Sequence, residues 1–235
     1  MHISRTRFLF IAALVVISVV LFGVIGASPL WTYLRNSVVA WRYARALTSG
    51  DVESRLQFAR VAAAEDIRIL MRVAIDVCSS ECEYNTSTCA PFEIITEAIV
   101  ACENLSVVLP ELRRRMAEDS DAACLWAIIF TNELGRDGVA CGDLLVDCAL
   151  NRRSKTRMYA LSTLDNLISI LKEEHGELTV AQVAARLGVE ESELRRTAEK
   201  STTDDADTTW FRWQLRWALD LDDESSSDSD EEPNE

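Results

Sequence analysis

The sequence predicts an all-α protein: one N-terminal transmembrane helix, then antiparallel helix pairs, then a disordered acidic tail. Three observations carry this. Phe8–Ala27 runs twenty residues without a charge. Beyond it, apolar residues recur at three- and four-residue spacing, with no sustained strand-like alternation. Glycine (8) and proline (4) are scarce in 235 residues, which disfavours a turn-rich β fold.

The first element follows from length. Twenty helical residues at ~1.5 Å each span about 30 Å, the thickness of a bilayer's hydrocarbon core. Its most polar side chain, Ser18, can bond back to a helix carbonyl. Arg5 and Arg7 in the basic flank 1–7, and Ile25-Gly26-Ala27, would also suit a cleavable signal. Signal apolar regions run only about 7–15 residues, so a retained single-pass anchor over 8–27 is expected. Orientation follows Lys and Arg in the short flanks. Arg5 and Arg7 lie close to the span, whereas the first base beyond it is Arg35. The helical domain is therefore expected outside the cytoplasm, where Asn85-Thr86-Ser87 and Asn104-Leu105-Ser106 would be usable sequons in a eukaryotic lumen.

The helical domain, 28–171, comes next. Leu30, Leu34, Val38, Trp41, Ala44 and Leu47 share one face of a helix over Ser28–Ser49, with Pro29 suited to its first turn. Gly50 ends it and Asp51 caps DVESRLQFARVAAAED. IRILMRVAIDVC reads as a third helix leading into a polar, cysteine-bearing loop. APFEIITEAIVACEN, LPELRRRMAED, DAACLWAIIFTNELG, CGDLLVDCALN and KTRMYALSTLDNLISILKEE follow, each helical in period and joined by polar turns.

Seven cysteines make an odd count, unlike an even disulfide framework. Cys102, Cys124 and Cys148 sit in apolar runs, where a thiol packs as a small hydrophobe. Cys78, Cys82 and Cys89 cluster in SSECEYNTSTC and are the candidates for one local disulfide with a thiol left over. Their spacing is not that of a zinc ribbon and no histidine lies near, so no metal or other cofactor is expected.

Three segments look alike: ARALTSGDVESRLQFARVA, RRRMAEDSDAACLWAIIFTNEL and VDCALNRRSKTRMYALSTLDNL. Each is a helix end, a polar turn and a second apolar-striped helix. Over about 34–171 this resembles degenerate HEAT-type α-solenoid repeats, with Thr156-Arg157-Met158-Tyr159-Ala160 fitting best. The resemblance implies a stack of helix pairs with an extended partner-binding surface; an irregular bundle is the other arrangement such a pattern allows.

Within residues 172–200, LTVAQVAARLGVEESELRR (Leu178–Arg196) resembles the helix-turn-helix core of bacterial DNA-binding proteins. Thr179 and Gln182 form a capping box, Ala184 is small where two helices cross, and Gly188 stands in the turn. Val183, Leu187, Val189 and Leu194 take the core positions. The second helix, however, opens with Glu190, Glu191 and Glu193. Five bases against seven acids from Lys172 to Lys200 would be repelled by phosphate. Packing or protein contact is the expected use, with a membrane-tethered transcription regulator as the alternative.

A linker, 201–208, leads to TWFRWQLRWALDL (209–221), which puts Trp210, Trp213, Trp217 and Leu221 on one helical face, with Arg212 and Arg216 to the side. Such a helix docks on the domain or lies in a membrane interface. The tryptophans are candidate partner contacts. The tail, 222–235, is disordered on composition.

The formal net charge of −14 is uneven. Asp220–Glu235 holds nine acids and no base, leaving about −5 elsewhere. That balance disfavours nucleic acid and anionic lipid as partners. Only His2 and His175 are present, and no nucleophile elbow, P-loop or dinucleotide fingerprint occurs, so no catalysis is expected. The sequence thus points to a membrane-anchored scaffold or adaptor that binds protein partners and holds the bilayer through its anchor.

Overall fold

The computed structural model describes residues 29–48, 52–81, 90–100, 102, 105–118, 120–199 and 205–221. The expected anchor (Phe8–Ala27), Cys82, Cys89 and the acidic tail lie outside these residues. Among the described residues no helix is long and apolar enough to cross a membrane. All regular structure described is helical: α1 Pro29–Thr48, α2 Val52–Glu81, α3 Ala90–Val100, α4 Leu109–Ala117, α5 Asp121–Glu133, α6 Gly142–Asn151, α7 Ser154–His175, α8 Val180–Leu187, α9 Glu191–Ala198 and α10 Ala206–Ala218. Short 3₁₀ turns cover Leu105–Val107 and Gly135–Cys141.

The helices pack in pairs. Helix α1 lies on α2 and α2 on α3; α4 pairs with α5, and α6 with α7. Successive pairs then stack, α4 against α6 and α5 against α7. The centre is α5, where every residue from Ala123 to Thr131 is buried. A helix apolar all round must be enclosed, and α2, α4 and α7 all pack on it. Phe92 from α3 meets the rings of Trp126 and Phe130 at 6.0 and 5.6 Å, joining the N-terminal helices to this core.

Three boundaries differ from expectation. VESRLQFARVAAAED and IRILMRVAIDVC lie in one thirty-residue helix, α2; no glycine or proline interrupts them, and Ala62-Ala63-Ala64 favours continuation. Helix α3 stops at Val100, so Cys102 lies beyond it, its N–H donating to Ile99 O at 3.0 Å. Helix α10 starts at Ala206 rather than Thr209, because Asp205 caps it by accepting from Thr208 N at 2.8 Å.

Arginines fasten the pairs to each other. Arg113 on α4 grips Asp143 on α6 with two hydrogen bonds of 2.6 and 2.7 Å and donates to Ala140 O at 2.7 Å. That guanidinium holds the Asp143 carboxyl below its usual range. Arg152 donates to Met116 O (3.0 Å) and Glu118 O (2.6 Å), satisfying carbonyls at the end of α4 where the helix dipole favours a cation.

Candidate functional site

Helix α10 docks on α7 and α9. Thr208, Arg212, Leu215 and Leu219 form its buried stripe, at positions that recur on one side of a helix. Trp210, Trp213 and Trp217 lie off that stripe and are 54 %, 51 % and 71 % exposed. The sequence places the arginines to the side of an aromatic face, and one of them is buried instead. The reason is local: Arg212 is 4 % exposed and donates to the Thr197 carbonyl in the last turn of α9. A guanidinium at a helix C-terminus gains from the dipole and supplies an otherwise orphaned carbonyl. With Arg212 turned inward, the indoles are left outward, and Trp210 and Trp213 stack at 5.1 Å.

The end of α10 is also fixed. Leu221 N donates to Arg216 O and Asp220 N to Trp217 O, both at 3.0 Å, a Schellman pair. Asp220 takes the left-handed position (φ 56°) that glycine usually occupies. From there its carboxylate reaches Lys172 on α7, Nζ to Oδ2 2.6 Å.

Between these two helices opens a cavity of about 560 Å³, lined on α7 by Asp165, Ser169, Lys172 and Glu173. Trp213, Gln214 and Trp217 form its other wall, and Asp220 its end. Asp165 is half-buried, and burial raises its carboxyl above the ordinary range. The tryptophan face is legible in the sequence, whereas Asp165 and Gln214 are not. The only signal was a polar line, Asp165, Ser169 and Lys172, on one side of an apolar helix, which looks the same as a solvated face.

The other candidates are dispersed. Cys78 is fully buried on α2, while Cys82 and Cys89 lie outside the described residues. The Cys124 and Cys148 sulfurs meet at 3.5 Å in the core, joining α5 to α6. Burial pushes the Cys141 thiol up to about 11, so it stays protonated at neutral pH. Among the described residues no three His, Cys, Asp or Glu side chains converge as a metal would require.

In the helix-turn-helix-like segment, Thr179 and Gln182 cap each other's backbone at 3.3 and 3.0 Å. Gly188 turns with φ 73°, and Val183, Ala184, Leu187 and Leu194 are buried. Glu190 and Glu193 are exposed at the start of α9, and Glu191 holds Arg195 at 2.8 Å.

Comparisons of this chain with protein-family models, with curated proteins and with solved structures each find no match.

Proposed function

We propose that this chain is a membrane-anchored helical scaffold or adaptor that binds a protein partner and carries out no catalysis. The observation that carries the reading is the outward face of α10, where Trp210, Trp213 and Trp217 stay half-exposed or more although the helix is otherwise docked. Tryptophan is the side chain most enriched at binding hot spots, because a rigid indole gains much apolar contact for little lost entropy. Three on one face of one helix make a surface of that kind.

The stacked pairs serve as its frame. The packing of α4 on α6 and α5 on α7 supports a HEAT-like stack, whose helix layers leave an extended surface open to a partner. The Phe8–Ala27 stretch supports a single-pass anchor, and Arg5 and Arg7 support an orientation with the helical domain outside the cytoplasm.

Site-specific photo-crosslinking tests the reading. A photoreactive residue replaces Trp217 in one variant and Glu133, exposed on α5, in another. The full chain is irradiated in intact cells and purified from solubilised membranes. A discrete protein adduct from position 217 and not from 133 is expected. No adduct from 217, or identical adducts from both, would remove the proposal.

A further inference from the structure

We infer that the cavity between α7 and α10 receives a basic side chain, an arginine in preference to a lysine, presented by the polypeptide partner. The inference rests on the proposal that the tryptophan face binds a protein, and it names the chemistry of the group bound there.

The Asp165 carboxylate is half-buried, and among the described residues it has neither a counterion nor a hydrogen-bond donor. Removing a carboxylate from water without a partner costs free energy, and the neighbouring elements do nothing here to offset it. A cation with N–H donors would. The remaining charges of the lining agree: Asp165, Glu173 and Asp220 stand against Lys172 alone, and Lys172 is already engaged with Asp220 at 2.6 Å. Asp165 and Glu173 are therefore left uncompensated.

The opposite wall suits the same ligand. Trp213 and Trp217 both line the cavity and keep half or more of their surface exposed. The negative face of an indole attracts a cation, and tryptophan does so best of the aromatic side chains. A planar guanidinium can stack on an indole while its fork donates two bonds to one carboxylate, which an ammonium cannot do. The volume, about 560 Å³, lies within the range of small-ligand sites and admits a long side chain with part of its backbone. A choline headgroup offers a cation too, but its phosphate would face Glu173 and Asp220, so the charges favour the peptide.

The test uses the full chain in maltoside micelles, a detergent without a cationic headgroup. N-acetyl-arginine amide is titrated by calorimetry, beside the neutral citrulline analogue, the lysine analogue and phosphocholine. Saturable binding of the arginine compound is expected, with citrulline at least about tenfold weaker. Asp165→Asn, and separately Trp217→Ala at the most exposed indole, should each weaken it by about tenfold. The second variant serves if the first disturbs packing. Absence of saturable binding would overturn the inference. So would binding unchanged in both variants, which would assign the cation to the acidic tail, or phosphocholine binding more tightly than arginine. A crosslinked partner without arginine binding would remove this inference and leave the adaptor reading standing.

Discussion

Lys172 and Asp220 meet at 2.6 Å, forty-eight residues apart in the chain, and join the last turn of α7 to the second residue past α10. Asp220 makes this contact from a left-handed backbone position, φ 56°. Two effects therefore oppose each other at one residue. The ion pair is partly exposed and stabilises by about 0.2–1 kcal/mol, while a side chain at positive φ costs roughly 1 kcal/mol. Asp220→Gly removes both and should lie within about 0.5 kcal/mol of the parent in thermal unfolding. Asp220→Ala loses the pair and keeps the strain the parent already carries, so it should fall by about 0.2–1 kcal/mol and lie roughly 1 kcal/mol below the glycine variant. Equal stability of the two variants would show that the backbone is not held in that conformation.

Glycine 142 marks the place where helix α8 approaches α6. It has ordinary helical dihedrals, so alanine there would normally favour the helix by about 1 kcal/mol. A Cβ, however, would stand 2.7 Å from Leu187 O and 2.7 Å from Leu187 Cδ2, and 2.8 Å from its Cα. Backbone cannot yield as a flexible side chain can. Gly142→Ala should therefore destabilise by about 1–3 kcal/mol and raise amide exchange in α8 before that in α5. A higher melting temperature for this variant would mean that the two helices separate at no cost.

What the sequence made legible was local. The Thr179–Gln182 capping box and the Gly188 turn need only neighbours within a few residues, and both form. Helix existence was likewise readable from period, since each apolar stripe is contained in its own segment. Docking was not. Three tryptophans on one face look like a core stripe, and the face that docks instead carries Thr208 and Arg212. Arg212 becomes a core residue only because the end of α9 offers it a carbonyl, and nothing near residue 212 in sequence announces that. The α7–α10 cavity was illegible for the same reason: Asp165 and Trp213 acquire meaning through a contact made far along the chain.

Duplex DNA should not bind the full chain measurably at physiological salt. The exposed start of α9 presents Glu190 and Glu193, and one of its two arginines is already held by Glu191. Non-specific DNA affinity comes from cations that displace counterions, and this face offers the opposite charge. Fluorescence anisotropy with a labelled duplex gives the measure. Binding tighter than about 1 μM that weakens steeply with salt would restore the membrane-tethered regulator as the better reading.

The last expectation concerns Asp165 and separates a binding residue from a structural one. Its carboxyl is raised because burial penalises the charged form, so the folded state holds the proton more tightly than the unfolded chain does. The favourable contribution of the protonated group is therefore fully present below the unfolded value, about 3.9, and is lost as pH rises through the raised folded value. At neutral pH the group is thus a net cost in the unliganded protein. Asp165→Asn keeps the shape and removes the charge, so it should raise the melting temperature at pH 7. Half-exposure leaves only a few tenths of a kcal/mol after solvent screening, about 1–2 °C. The gain should vanish below about pH 4, where the aspartate is protonated in both states. Scanning calorimetry of the two proteins at pH 7 and pH 3.5 makes the comparison. Stabilisation at pH 7 together with weakened arginine binding would identify a carboxylate kept for its ligand against the interest of the fold. Destabilisation at pH 7 would show instead that Asp165 already has a favourable partner within the protein.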